Sequence, residues 1–181
     1  MEEIIKTINI NDIAKYIILK LLNNGNSICP LKLQKLLYYI QSWHMVYFGR
    51  NNTLFTDVPE AWVNGPIYRN VYDSYKHIGV YDQIQGMDIG CKTNKTKEME
   101  EELKNVYNSL NISQSQHEFL ESMLIHYGTL SHDKLVFMTH LENPWNEARE
   151  GLNPIEPSDR ELSLDTMYSY YKERKERKES A

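Results

Sequence analysis

The sequence has little cysteine, and this shortage already excludes one class of protein. Cys29 and Cys91 are its two cysteines, and they lie far apart without forming a CxxC pair. A disulfide-rich framework and a cysteine-based zinc site are therefore excluded. We predict two reduced thiols in an intracellular protein, and a single disulfide between them stays open as the alternative.

Long apolar runs and an excess of positive charge are also missing. No run approaches the ~18 apolar residues of a membrane-spanning helix, and the N-terminal MEEIIKTINI is acidic. We therefore expect neither a signal peptide nor a membrane anchor, and we expect a cytoplasmic location. The formal net charge of −5 argues against nonspecific binding to nucleic acid.

Apolar residues recur at helical spacing along most of the 181 residues, which predicts one mainly α bundle of seven or eight helices with one short β-hairpin. The strongest repeat begins at Pro30 and ends before Gly49. Its remaining polar side chains are expected to face solvent or a partner: Lys32, Gln34, Lys35, Gln41 and Ser42.

The helical spacing is interrupted between residues 50 and 66, where two short apolar runs predict the hairpin. Asn64 and Gly65 favour a turn, and Pro66 is expected to end the strand because it has no N–H. Residues 80–95 are predicted to form a mobile loop. We divide the chain into a single domain over residues 1–172 and a charged, disordered tail over residues 173–181.

Motifs of common enzymes and cofactor-binding proteins are not found in the sequence. It contains no HExxH, P-loop, GxGxxG or GxSxG pattern and no Cys/His ligand cluster. We therefore expect no catalytic activity, metal or cofactor. Two alternatives stay open: a His-dependent hydrolase built around His140, Thr139 and Lys35, and a DNA-binding autorepressor.

Three segments contain polar and aromatic residues that core packing alone does not demand. They are LQKLLYYIQSWH at 33–44, EAWVNGPIY at 60–68 and THLENPW at 139–145. In this order and spacing they resemble the Panacea-domain family of SocA-like, phage-associated antitoxins, whose pattern is L-x-K-L-x-Y-Y, then A-W-x-x-G-P, then T-H-x-x-x-P-W. The resemblance extends over about residues 10–172, with Ile67 in place of a frequent valine.

The resemblance implies an antitoxin that neutralises a cognate toxin by direct contact. The toxin is usually encoded by a neighbouring gene, often on a prophage, and some members of the family look like adaptors that deliver the toxin to a protease. No membrane or nucleic-acid partner is expected, and formation of a homo-oligomer is left as an open alternative. The residues expected to bind the partner are Gln34, Lys35, Tyr38, Trp62, Asn64, Gly65, Pro66, Tyr68, His140 and Trp145.

Overall fold

The computed structural model describes residues 6–181, so the first five residues of the predicted domain lie outside the described part. The described residues form eight α-helices and one two-stranded antiparallel hairpin, which confirms the predicted mainly α fold. The helices are α1 (Ile10–Asn23), α2 (Pro30–Phe48), α3 (Arg69–Tyr75), α4 (Thr96–Ser109), α5 (Gln114–Tyr127), α6 (His132–His140), α7 (Asn143–Ala148) and α8 (Leu164–Glu179). The strands are β1 (Glu60–Trp62) and β2 (Gly65–Ile67).

Local signals in the sequence set several of the helix starts. The Asn9 side chain accepts a hydrogen bond from the backbone of Asn11 at the start of α1, and Pro30 is the first residue of α2. Ser113 and Gln116 form a capping box on α5. Each of these residues satisfies, or in the case of proline removes, a backbone N–H that the helix itself leaves unpaired.

Helix α2 is the central element of the molecule, because α1, α3, α5, α6, α8 and β2 all pack against it. Fifteen of its nineteen residues are buried. A helix enclosed on all sides has no solvent-facing stripe. The prediction that its polar residues face solvent is therefore wrong for all five: Lys32, Gln34, Lys35, Gln41 and Ser42.

The buried polar residues of α2 bind neighbouring backbone instead of water. Lys32 Nζ donates to the carbonyl oxygens of Ser27 and Gly128, at 3.1 and 2.6 Å. Gln41 donates to the Phe55 carbonyl and accepts from the Leu54 N–H. These bonds satisfy polar groups whose burial would otherwise be costly.

The hairpin pairs Ala61 with Pro66, so Pro66 lies within β2 and does not end the strand as predicted. The N–H of Ala61 points away from β2 and donates to the Arg160 carbonyl at 2.7 Å, so this pair has no hydrogen bond between the strands. Proline is tolerated at such a position because the sheet needs no N–H from it. On the same side, Leu162 N donates to the Pro59 carbonyl at 2.8 Å. An extended segment from the C-terminal part of the chain thus covers the outer edge of β1.

Two further regions are more ordered than their composition predicted. The tail predicted to be disordered continues α8 through Glu179, where the ion pairs Glu173–Arg177 and Lys175–Glu179 support it at i,i+4 spacing. The loop predicted over residues 80–95 contains a 3₁₀ helix at Gly86–Ile89. Both cysteines are buried and free. No helix within residues 6–181 is long and apolar enough to cross a membrane.

Candidate functional site

The fold brings the three motif segments together. The first segment lies on α2, the second forms the hairpin, and the third runs from the end of α6 into α7, with both α2 and α6 packed against β2. Side chains of the first and third segments bind the backbone of the second. The position of the hairpin is therefore determined by residues distant from it in the sequence.

Side chains from α7 and its C-terminus hold strand β1 by its carbonyl groups. Trp145 Nε1 donates to the Trp62 carbonyl at 2.9 Å, and Arg149 donates to the Ala61 carbonyl at 2.8 Å. Arg149 also donates to the Glu156 carbonyl at 2.8 Å, which attaches the loop after α7 to the same strand. The His140 ring stacks on Trp145 with centroids 4.2 Å apart.

Side chains of α2 hold strand β2 in the same manner. Gln34 forms two bonds with Tyr68, accepting from its N–H at 2.7 Å and donating to its carbonyl at 3.3 Å. Lys35 Nζ donates to the Pro66 carbonyl at 2.9 Å. Lys35 is 0% exposed, and this burial lowers the pKa of its ammonium group to about 7.

Gly65 lets the backbone of β2 approach Lys35 and Thr139 closely. Its φ angle is +96°, and a Cβ atom at this position would lie 2.7 Å from both Lys35 Cε and Thr139 Oγ1. A side chain at this position would therefore be strained in its backbone and would also overlap with buried atoms.

A buried carboxylate, Glu142, joins α2 to the C-terminal helix. Tyr38 and Tyr39 donate to it at 3.2 and 3.0 Å, Tyr171 of α8 donates to it as well, and Arg174 lies 3.5 Å away. Burial raises the pKa of the Glu142 carboxyl, and the tyrosine hydroxyls and Arg174 offset part of that rise. The carboxylate therefore lies in a nearly closed shell of donors.

Sequence reasoning missed both Glu142 and Arg149. Glu142 lies within THLENPW, but its position between Leu141 and Asn143 gives no sign of burial. Arg149 follows the third segment and belongs to no motif singled out from the sequence. Their partners come from other elements, so local sequence patterns could not identify them.

Most of the predicted partner-binding residues are buried in the folded protein. Gln34, Lys35 and Trp145 bind backbone groups within residues 62–68, and Tyr38 donates to Glu142. The buried residues are Gln34, Lys35, Tyr38, Gly65, Pro66, Tyr68 and Trp145; Trp62 and His140 are partly exposed, and Asn64 is exposed.

Two of the three residues of the alternative hydrolase, Lys35 and Thr139, meet next to Gly65, whereas the His140 ring stacks on Trp145. Both Lys35 and Thr139 are 0% exposed, and Thr139 Oγ1 donates to the Val136 carbonyl at 2.8 Å. In this conformation a substrate has no access to either group. Within residues 6–181, no cluster of three or more His, Cys, Asp or Glu side chains is arranged to hold a metal ion.

A half-open groove of about 560 Å³ lies outside this scaffold, between the start of α2, the hairpin and α3. Its walls are mainly apolar and include Leu31, Leu33, Trp62, Ile67, Tyr72 and Val80. The hairpin turn contributes Val63 and Asn64 to the lining. Apolar surface of this kind favours contact with another molecule over contact with water.

Contacts around Trp62 stiffen one wall of the groove. The Trp62 indole N–H donates to Glu60 at 2.6 Å, its ring packs 4.8 Å from that of Tyr72, and the Arg69 guanidinium lies 4.8 Å from the ring centroid. Arg69 is itself paired with Glu60 at 2.6 Å. The aromatic wall is therefore held in place by contacts within the protein itself.

Fold and site together define a mainly α domain, in which a buried polar scaffold supports a half-open apolar groove. The family model described as "Antitoxin SocA-like, Panacea domain" matches residues 33–146, more than half of the chain. The chain belongs to this family of SocA-like antitoxins, and the resemblance seen in the three segments is confirmed. Searches of curated proteins and of solved structures gave no significant match.

Proposed function

We propose that this protein is a noncatalytic cytoplasmic antitoxin that neutralises a cognate toxin by direct protein–protein contact at the groove. Membership of the SocA-like antitoxin family supports a toxin partner in general. The observation that carries the proposed site is the groove itself, since it exposes an apolar, aromatic-walled surface that residues of the first and second segments help to line.

The buried residues have a positioning role in this proposal. Lys35 and Gln34 hold β2, while Trp145 and Arg149 hold β1. They place Trp62 and the turn residues at the groove mouth, where those side chains contact the toxin. Partly buried aromatic side chains in rigid surroundings supply much of the energy of protein interfaces.

Substitutions at the groove mouth test this proposal. The antitoxin and the toxin encoded by its neighbouring gene are co-expressed, and growth is measured for wild type, Val80→Glu and Asn64→Arg. Both residues are exposed, so we expect folded proteins that fail to rescue growth. Ile125→Glu, which changes an exposed apolar residue on α5 that does not line the groove, is the matched control and should rescue growth.

Two results would contradict the proposal in different ways. Rescue of growth by Val80→Glu and Asn64→Arg would show that the toxin contact lies outside the groove. Failure of the wild-type protein to rescue growth would contradict the antitoxin function itself.

The mode of neutralisation is read from the amount of toxin in the same cells. Direct neutralisation leaves the toxin level unchanged and yields a complex that copurifies. Delivery to a protease, as the family resemblance implies for some members, would lower the toxin level. In a protease-deficient host the toxin level would then return to that of cells without the antitoxin.

A further inference from the structure

The lining of the groove restricts the kind of toxin segment that can occupy it. Leu33, Ile67 and Val71 line the groove and are almost completely buried, so they form its apolar floor. The volume of about 560 Å³ holds a few large side chains but no complete folded element. An occupant must therefore insert apolar side chains from one of its faces.

Polar groups at this floor already have partners within the protein. The Leu31 N–H donates to the Val80 carbonyl at 3.2 Å, and the Gln34 amide forms two hydrogen bonds with the Tyr68 backbone. An extended segment would leave its own N–H and carbonyl groups unpaired against such a surface, which is costly. An α-helix pairs these groups internally, so it can bury one apolar face without that cost.

The charges around the groove do not balance. Arg69 pairs with Glu60 at 2.6 Å, and this cation lines the groove. The second lining cation, Lys76, pairs with Asp73 at 2.9 Å. Asp159 also lines the groove, is exposed and belongs to no ion pair among residues 6–181. Arg69 lies within electrostatic range of Asp159, but its guanidinium is bound to Glu60. The lining and its ion-pair partners therefore carry one uncompensated negative charge.

We propose that the groove receives an amphipathic α-helix of the toxin, with its apolar face inserted and a Lys or Arg on its flank placed against Asp159. This inference rests on the proposed antitoxin function and names the segment that the groove binds. The cation would pair with the carboxylate that the folded protein leaves uncompensated at the groove. The formal net charge of −5 would also attract a basic segment, since complementary charge accelerates encounter.

Titration calorimetry with the toxin encoded by the neighbouring gene tests the role of charge. Wild type, Asp159→Lys and Glu101→Lys are compared at about 50 and 500 mM salt. Both substitutions change the net charge equally, but Glu101 is an exposed residue of α4 outside the groove. We expect Asp159→Lys to weaken binding about fivefold or more at low salt and less at high salt. Glu101→Lys should have a clearly smaller effect.

Hydrogen exchange of the toxin, free and bound to the full antitoxin chain, identifies the segment in contact. We expect the protected segment to have apolar residues at i, i+3, i+4 and i+7, with Lys or Arg beside them. A protected segment that is rich in proline, that alternates apolar and polar residues, or that has no basic residue would overturn the helix proposal.

The two levels of the proposal fail in different ways. If the wild-type protein does not bind the toxin, the antitoxin function itself is contradicted. If the toxin binds but Asp159→Lys weakens binding no more than Glu101→Lys, that function stands and only the basic helix in the groove is overturned. Asp159 and Glu101 are both exposed, so both variants should fold.

Discussion

Lys35 shows how strongly a single side chain can depend on its surroundings. Its ammonium group is enclosed by α2, β2 and α6, and Pro66 supplies its hydrogen-bond acceptor. No carboxylate in the described part of the chain pairs with it. The charged form is therefore disfavoured inside the folded protein, whereas in the unfolded chain the same lysine is fully hydrated.

This difference predicts a pH dependence of stability. The pKa of Lys35 is about 7 in the folded protein and ~10.4 when unfolded, so between these values the unfolded state binds more protons. The free energy of unfolding should therefore rise with pH from about 7 to 10, by up to ~1.4 kcal/mol per unit. Urea unfolding of wild type and Lys35→Met at several pH values isolates this contribution as their difference.

The same measurement on Lys97→Met serves as the control, since Lys97 is exposed. Its difference from wild type should not change with pH. A flat difference for Lys35→Met as well would mean that Lys35 keeps an ordinary pKa in the folded protein.

The sequence could not reveal that Lys35 is buried, although it did identify the residue as unusual. A lysine on a helix is normally exposed, and the helical pattern of α2 has an apolar stripe wide enough to suggest only one buried face. Burial on the remaining faces comes from α8, α6 and β2, which lie far from α2 in the sequence. Long-range packing of this kind leaves no local signal.

At the level of elements, the hairpin is a short structure that its neighbours stabilise. Three-residue strands contribute little on their own. Donors from α2 and α7 compensate by binding the carbonyls of Ala61, Trp62 and Pro66. A side chain at Gly65 would disturb this arrangement, because β2 lies close to Lys35 and Thr139 there.

Alanine substitutions at two glycines separate backbone strain from this close approach. Gly65 and Gly151 both have positive φ, but a Cβ at Gly151 meets nothing within 4 Å. We expect Gly151→Ala to lower the free energy of unfolding by ~1–2 kcal/mol through strain alone. Gly65→Ala should lower it by ~3 kcal/mol or more, because strain and overlap with Lys35 add up.

Chemical denaturation of both variants checks this expectation. Equal losses would show that Lys35 and Thr139 move aside readily and that strain is the main cost. Growth rescue by each variant would then show whether displacement of the hairpin also affects the proposed toxin contact.

The existence of the hairpin could be predicted from the sequence, but its register could not. The run at residues 61–63 and the NGP sequence identified the first strand and the turn, but the run at Leu54 and Phe55 forms no strand, and Gly65 and Pro66 begin the second strand instead of closing the hairpin. Its missing N–H suggested that Pro66 ends the strand. In the structure Pro66 lies within β2, at a position whose backbone nitrogen points away from β1 and forms no hydrogen bond between the strands. Register depends on pairing partners, and Arg160 could not be recognised as one from the sequence.

At the level of the whole molecule, α8 covers the aromatic face of α2. The Tyr171 ring lies against Tyr38, Tyr39 and Trp43, with centroids 5.1–6.1 Å apart. Tyr171 and Arg174 also complete the donors around Glu142. Helix α8 lies outside residues 33–146, so a segment beyond the family match closes the core of this chain.

Two truncations test how much the molecule depends on α8. A chain ending at residue 175 loses only exposed residues of the last turns and should keep its stability within ~0.5 kcal/mol. A chain ending at residue 163 exposes the aromatic face and leaves Glu142 with two of its four partners. We expect it to lose cooperative thermal unfolding and to bind a hydrophobic dye.

A cooperative transition for the chain ending at residue 163 would show that residues 6–163 form a self-sufficient core. Composition alone suggested a disordered tail after residue 172, because alternating Lys, Arg and Glu resemble a solvated segment. Met167 and Tyr171, four residues apart, are the buried residues of this helix. Its length was underestimated because i,i+4 ion pairs extend it beyond the last buried residue.

The closed edges of the hairpin restrict how new partners can be acquired. Residues 160–162 occupy the outer edge of β1. On the outer edge of β2, Pro66 has no N–H and its carbonyl accepts from Lys35, and Gln34 binds the backbone of Tyr68 directly after the strand. A partner therefore cannot extend the sheet by adding a strand, a mode of recognition that reads mainly backbone. Recognition at the proposed toxin contact would instead depend on side chains such as Trp62 and Asn64. Exchanging a few mouth residues would retarget the protein during evolution, while the buried scaffold that folds the domain remains unchanged.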